Sequence, residues 1–190
     1  DAGRGEGADP HHVERVSRYA GLIAEGAGLD DDNIRLIEHA SPLHDIGNIS
    51  IPDALLRKPG RLTDDERKVM QQHTVLGHEM LRDSHSEFIQ VGAEIALGHH
   101  ERWDGTGYPQ GLIGEAIPVS ARIVAVADVL DALTTERSYR AAWSLDEALA
   151  MLRDMAGSQF DPELIKVLLT RTTEVQAIRK AFTAEPAPAG

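Results

Sequence analysis

Apolar residues recur at helical spacing along almost the whole chain, and no stretch sustains the two-residue alternation of a half-buried strand. The pattern therefore predicts an all-α architecture. His12, Val16, Tyr19 and Ile23 mark one face of a first helix that ends near 26–28, where glycines cluster. Acidic residues at 30–32 open a second helix expected to run to about 45. An irregular stretch follows over 47–62, punctuated by Pro52, Pro59 and Gly60. Thr63 with Glu66 three residues on is a capping-box pattern, and it starts a third helix reaching about 83. A fourth helix, about 87–99, leads into a Gly/Pro-rich loop at 104–118, and the fifth, about 119–133, is the most apolar segment. Ser144 with Glu147 caps a sixth, Asp161-Pro162-Glu163 starts a seventh, and a last helix covers 174–182. One domain is expected over 10–182. A Gly-rich stretch at 1–9 reads as a trimmed boundary, and an Ala/Pro tail at 183–190 is expected to lack fixed structure.

Composition narrows the function. A chain of 190 residues suits one domain with a continuous core. The absence of cysteine removes thiolate ligands, nucleophilic thiols and disulfides together, and is compatible with a reducing, cytoplasmic home. No apolar run approaches the ~20 residues that span a bilayer, and no signal segment opens the chain, so a soluble protein is expected. The net charge of −12 argues against binding along duplex nucleic acid, which depends on a lysine- and arginine-rich surface. A small anionic substrate would instead need local positive charge, which metal ions and a few arginines can supply.

Five of the nine histidines sit where helical register turns them inward beside an acid or another histidine: His12, His44, His73, His99 and His100. His12 shares a face with Val16 and Tyr19, and Asp45 follows His44 directly. Adjacent helical residues point about 100° apart, so His99 and His100 can face one ion only where their helix frays. Asp128 interrupts an otherwise buried run, Ile123 to Leu130, where an unpaired carboxylate would cost several kcal/mol or take up a proton. A cation resolves that conflict. Asp131, one turn later, is a candidate to support a ligand or to accept from substrate. The plainer readings are core histidines satisfied by their own helices and a buried aspartate paired with Arg15 or Arg122. The joint occurrence of one metal-binding chemistry on separate helices favours the ion. His11, His39, His78 and His85 lack such company and read as surface or packing residues.

The order His12-x-x-Arg15, His44-Asp45, His73, His99-His100, Gly107-Tyr108-Pro109 and Asp128 resembles the HD-GYP family of cyclic di-GMP phosphodiesterases. The likeness extends through Ile51-Pro52-Asp53, Lys58-Pro59-Gly60, the run 99–109 and Ala121 to Asp128, and spans about 10–170. It implies a five-helix HD bundle with additional C-terminal helices. By the same likeness His12, His44, Asp45 and Asp128 would hold one ion and Asp45, His73, His99 and His100 the other, with Asp45 bridging. Iron or manganese is implied, while the ligand types alone are equally compatible with zinc, nickel or cobalt. Two cations about 3.5–4 Å apart lower the pKa of a shared water and stabilise charge on the phosphate in flight, so no side-chain nucleophile is needed. The implied product is linear pGpG, with GMP as a further step and cyclic GMP-AMP as an open alternative substrate. The turn Gly107-Tyr108-Pro109 reads either as a platform that presents Tyr108 for stacking on guanine and for partner contact or as a structural turn with Tyr108 packed on the core. The resemblance assigns Arg137 and Arg140 to phosphate or guanine contacts, where solvated surface charge is the plainer reading. The implied partners are GGDEF-domain proteins and an upstream receiver or sensor domain of a two-component system. The apolar surface of the last helices is the candidate for a homodimer contact.

Two departures from the family pattern matter. The family commonly carries Glu four residues before the first histidine, which permits a third ion; here Ala8 stands there, so a binuclear site is expected. Where the family usually has Lys near the scissile phosphate, this chain has Asn48, which can donate a hydrogen bond but carries no charge. Losing such a donor can cost on the order of 10² to 10³ in rate. Asn48 thus leaves a rival reading open: a weakly active or inactive signalling module that binds nucleotide and docks a partner through the Tyr108 loop. A third reading, an HD enzyme acting on a nucleoside phosphate, gives no reason for the Gly107-Tyr108-Pro109 loop.

Overall fold

The structure, a computed structural model, describes residues 9, 11–136 and 141–183. Among them the regular structure is helical, and pairing between extended segments is limited to two isolated bridges. The helices are α1 (His12–Gly26), α2 (Asp31–Ala40), α3 (Asp53–Leu56), α4 (Asp64–Leu81), α5 (Glu87–Gly98), α6 (Val119–Thr134), α7 (Leu145–Asp154), α8 (Pro162–Thr170) and α9 (Thr172–Thr183). Three 3₁₀ turns, Ser41–Leu43, Ile46–Ser50 and Gly114–Ala116, complete the frame. No described helix is long and apolar enough to cross a membrane.

The chain's capping chemistry sets most boundaries. Thr63 and Ser144 each accept from the third residue of their helix, whose Glu reaches back to the cap, so both predicted capping boxes form. Asp30 and Asp161 cap α2 and α8 by accepting from Asn33 and Glu163. The second helix, however, ends at Ala40 and not near 45. Pro42 is the cause, because it has no N–H to give the Glu38 carbonyl and its ring crowds that turn. The freed carbonyl accepts from the hydroxyls of Ser17 and Ser41 instead. Chain 41–50 then winds through two 3₁₀ turns, with His44 and Asp45 between them. The stretch expected to be irregular over 47–62 likewise contains a 3₁₀ turn and the short α3.

α6 is the central rod, with thirteen of its sixteen residues buried. It packs against α1, α5, α7 and α8, and its Ile123, Val124, Val126 and Leu130 join Val16, Tyr19, Ile23, Ile95, Leu152, Phe160 and Ile165 in one core. Ile51, Leu62 and Met70 form a smaller cluster under α3 and α4. Polar residues on so buried a helix stand out, and Asp128 and Asp131 both lie on its inner turns.

Candidate metal centre

The seven expected ligands come from five parts of the chain: the first turn of α1, the link between the 3₁₀ turns, α4, the end of α5, and α6. They meet because backbone approaches backbone at glycine. A Cβ on Gly47 would lie 1.9 Å from the His73 carbonyl oxygen, so only a residue without one lets the Asp45 turn rest on α4. α5 ends at Gly98, which places His99 at the cap and His100 in the following turn. The helix stops where the two rings need to turn together, and their centroids are 4.1 Å apart.

Two groups of ligand atoms result. Asp45, His73, His99 and His100 form one, and His12, His44 and Asp128 the other; within each, all atoms lie within 4.8 Å of one another. Asp45 stands between them. Its Oδ1 is 3.4 Å from His73 Nε2 and 3.7 Å from His99 Nε2, while Oδ2 is 3.7 Å from His44 Nε2. His12 Nε2 is 3.7 Å from Asp128 Oδ1. Such spacings are long for hydrogen bonds, yet two ligands each ~2.1 Å from a common tetrahedral ion stand roughly 3.4 Å apart.

The tautomers point the same way. His44 Nδ1 lies 2.8 Å from the Ser41 carbonyl, His73 Nδ1 2.8 Å from that of Met70, and His99 Nδ1 3.0 Å from that of Ile95. A carbonyl only accepts, so each Nδ1 carries the proton and each Nε2 presents a lone pair. Those three Nε2 atoms are buried without a hydrogen-bond partner. An orphaned buried polar atom costs roughly 1–3 kcal/mol, and three converging on one carboxylate are the arrangement a cation satisfies. The residues present therefore fit a divalent metal.

Protonation is tuned accordingly. Burial alone would raise the pKa of Asp45, but His44, His99 and His73 outweigh it and hold the carboxyl far below its usual range. Burial, with His99 and His73 alongside, lowers His100 well below an ordinary imidazole and keeps it neutral. Burial and His99 also lower His73. For His12 and His99 burial lowers the value, but Asp131 and Asp128 around the first and Asp45 beside the second raise it overall.

Behind the ligands lies a support that the linear pattern hinted at but did not resolve. Asp131 is 1% exposed and accepts from His12 Nδ1 at 2.8 Å, from Arg15 Nε at 2.6 Å and from Arg15 Nη2 at 2.9 Å. Both Asp131 oxygens are thus engaged by His12 and Arg15, an arrangement that suits the ligand-supporting of the two roles expected for it. Asp9, out of register for a third-ion ligand, instead pairs with Arg15 Nη2 at 2.6 Å. Arg122, the other arginine considered as a partner for a buried acid, pairs with Asp161 at 2.6 Å and lies 5.8 Å above the Trp103 ring.

The loop after His100 is pinned from within by Glu101, a buried residue that sequence reasoning passed over. Its two oxygens accept from the backbone N–H of Gln110 at 2.7 Å and of Leu112 at 3.1 Å. Trp103 and Asp104 donate from their backbones to the Gln159 and Ser158 carbonyls, tying the same loop to the α7–α8 connection. Gly107 approaches the Arg102 amide so closely that a Cβ would lie 2.3 Å from it. Tyr108, joined to Pro109 by a cis peptide bond, stacks on His100 at 4.8 Å and buries its hydroxyl. The ring thus forms part of the wall of the ligand cluster. Asn48 is half-buried, on the 3₁₀ turn one turn after Asp45. Arg137, Arg140 and Ala8 lie outside the described residues. His11, His39, His78 and His85 belong to neither ligand group: His11 meets Phe182, and His78 bonds the Ala93 carbonyl.

Comparison with known proteins gives the chain's family. Residues 8–164 match the family model described as HD domain. A cyclic di-GMP phosphodiesterase response regulator of Xanthomonas campestris is 51% identical over 185 residues, covering 97% of this chain and 49% of the relative. A 3'3'-cGAMP-specific phosphodiesterase of Vibrio cholerae is 45% identical over 171 residues, covering 90% of this chain and 33% of that protein. The crystal structure of a cyclic GMP-AMP-specific phosphodiesterase from the same organism shares the fold, with a TM-score of 0.70, at 22% identity over 96% of this chain and 48% of its own. The chain belongs to the HD domain family, within its HD-GYP group. It spans between a third and a half of the length of these relatives.

Proposed function

We propose that this domain hydrolyses cyclic di-GMP to linear pGpG at a binuclear divalent-metal centre. The observation that carries the reading is the convergence of the orphaned Nε2 atoms of His44, His73 and His99 on Asp45, whose two oxygens face different ligand groups. His12, His44, Asp45 and Asp128 would hold one ion and Asp45, His73, His99 and His100 the other, with Asp45 common to both sets. When bound, such ions supply Lewis-acid charge for the phosphate and activate water at neutral pH. Iron or manganese is the proposed metal. The engagement of Asp9 by Arg15 supports two ions and not three.

The chain's own residues then position and exclude. Backbone carbonyls lock the histidine tautomers, so the lone pairs stay aimed at one point without reorganisation. Tyr108 closes one side of the cluster by stacking on His100, and Gly107 and Pro109 shape the turn that carries it. Asn48 donates a hydrogen bond toward the leaving oxygen where a charged donor would be stronger. Arg137 and Arg140 are the proposed contacts for the second phosphate and the guanines. The response-regulator name of the Xanthomonas relative supports an upstream receiver domain in the whole protein.

Asn48 also favours the second reading, a slow or inactive module that retains nucleotide and docks a GGDEF-domain partner through the Tyr108 loop. One assay separates them. Protein loaded anaerobically with iron or manganese is incubated with cyclic di-GMP, cyclic GMP-AMP and linear nucleotides, and the products are resolved. Release of pGpG supports the hydrolase; intact nucleotide that stays bound supports the module; cleavage of cyclic GMP-AMP alone reassigns the substrate.

A further inference from the structure

The histidines of the proposed centre are not oriented in one way. His44, His73 and His99 each donate from Nδ1 to a carbonyl of their own local backbone, an acceptor that no side-chain substitution removes. His12 donates to a side chain, Asp131, from α6. Asp131 in turn is gripped on both oxygens by the fork of Arg15, one turn beyond His12 on α1. Arg15 Nη2 further donates to Thr135 Oγ1 at 2.9 Å and pairs with Asp9 at 2.6 Å.

This arrangement has a direction. A carboxylate accepting two bonds from a guanidinium offers its third partner nothing but acceptor lone pairs. His12 must therefore carry its proton on Nδ1, which leaves Nε2 open toward Asp128. Without Arg15, the buried carboxylate at 131 would lose its charge partner. It would then be free to swing away, and the His12 ring, no longer held at Nδ1, would be free to reorient.

We propose that Arg15 is a positioning residue which, acting through Asp131 on His12, sets the affinity of one metal site and leaves the other untouched. The inference rests on the metal-centre reading above. Partners of this kind, one step behind the ligand, change metal affinity by roughly 10- to 100-fold.

The test counts ions and does not depend on turnover. The full chain and its Arg15→Gln, Arg15→Lys and Asp131→Asn variants are titrated with manganese, and the bound ions are counted by elemental analysis after desalting. The parent is expected to retain two ions. Arg15→Gln and Asp131→Asn are expected to keep one at parental affinity and to bind the second 10- to 100-fold more weakly. Arg15→Lys, which keeps the charge but loses the fork, should fall between them. Asp131→Asn preserves volume, so it reports even if Arg15→Gln folds poorly. Two ions held at full affinity by both variants would overturn the proposal, and so would loss of both ions in step, which is the mark of a merely structural role. A parent chain that takes up no ion sinks the metal reading, and this inference with it.

Discussion

Replacing Gly47 by alanine tests how the site is assembled. The added Cβ would sit 1.9 Å from the His73 carbonyl oxygen and 2.6 Å from the Gly77 nitrogen, both backbone atoms, whereas real Cβ contacts essentially never fall under 3.0 Å. The turn and α4 must then part by roughly 1.1 Å, the difference between the two distances. Asp45 rides on that turn and faces His73 across 3.4 Å. A displacement of that size far exceeds the ~0.2 Å tolerance of a metal bond. Overpacking of this kind costs about 1–3 kcal/mol, which at this chain length lowers the melting temperature by roughly 2 to 12 °C. The expected result is an apo-protein that still folds, melts earlier and no longer holds ions through Asp45, read by circular dichroism and metal content. Gly92→Ala is the control. Its Cβ meets the end of the Leu43 side chain at 2.5 Å, which can change rotamer, so the ions should be retained. A Gly47→Ala protein with parental melting and metal content would show that the close approach is not what seats Asp45.

Other outcomes follow from the same geometry. Asn48→Lys should raise turnover of cyclic di-GMP by 10-fold or more if a charged donor is what the site lacks; an unchanged or lower rate refutes a rate-limiting Asn48. Glu101→Gln keeps the shape but turns one of the two accepting oxygens into an NH2 donor that cannot pair with a backbone N–H, a cost of about 1–3 kcal/mol. Amide exchange at 110 and 112 should quicken, and protection equal to the parent's would contradict the pinning. Metal affinity should fall with acid. Protons compete for Nε2, and the net raised values of His12 and His99 make them take up protons at higher pH than an ordinary imidazole, while lowered His73 and His100 stay available. Manganese titrations from pH 8 to pH 5.5 check this, and affinity independent of pH would count against imidazole ligation.

The helical fold was legible from periodicity because an amphipathic stripe and a capping box are local signals; Thr63 with Glu66 and Ser144 with Glu147 both form as the pattern predicts. The end of the second helix was misjudged because apolar spacing continues past Ala40, while Pro42 alone stops the backbone ladder. Among the proposed ligands, Asp128 announced itself by being a charge in a buried run. Arg15 and Glu101 did not, since what they do depends on partners 116 and 9 to 11 residues away. Arg15 was visible only as part of the His12-x-x-Arg15 spacing and as one possible partner for a buried acid, not as the residue that fixes Asp131. For Glu101 no comparable local signal exists, because an acid in a polar loop reads as solvated.

The two ligand groups also differ in how much chain each must wait for. One draws on residues 45 to 100, the other needs 12 and 128 together. During synthesis, the first group can therefore gather while α6 is still to be made, whereas the second stays open until that helix leaves the ribosome and docks on α1. An ion captured early would rest on the first group alone, and the second would be completed only once α6 is in place, with α7, α8 and α9 still to follow.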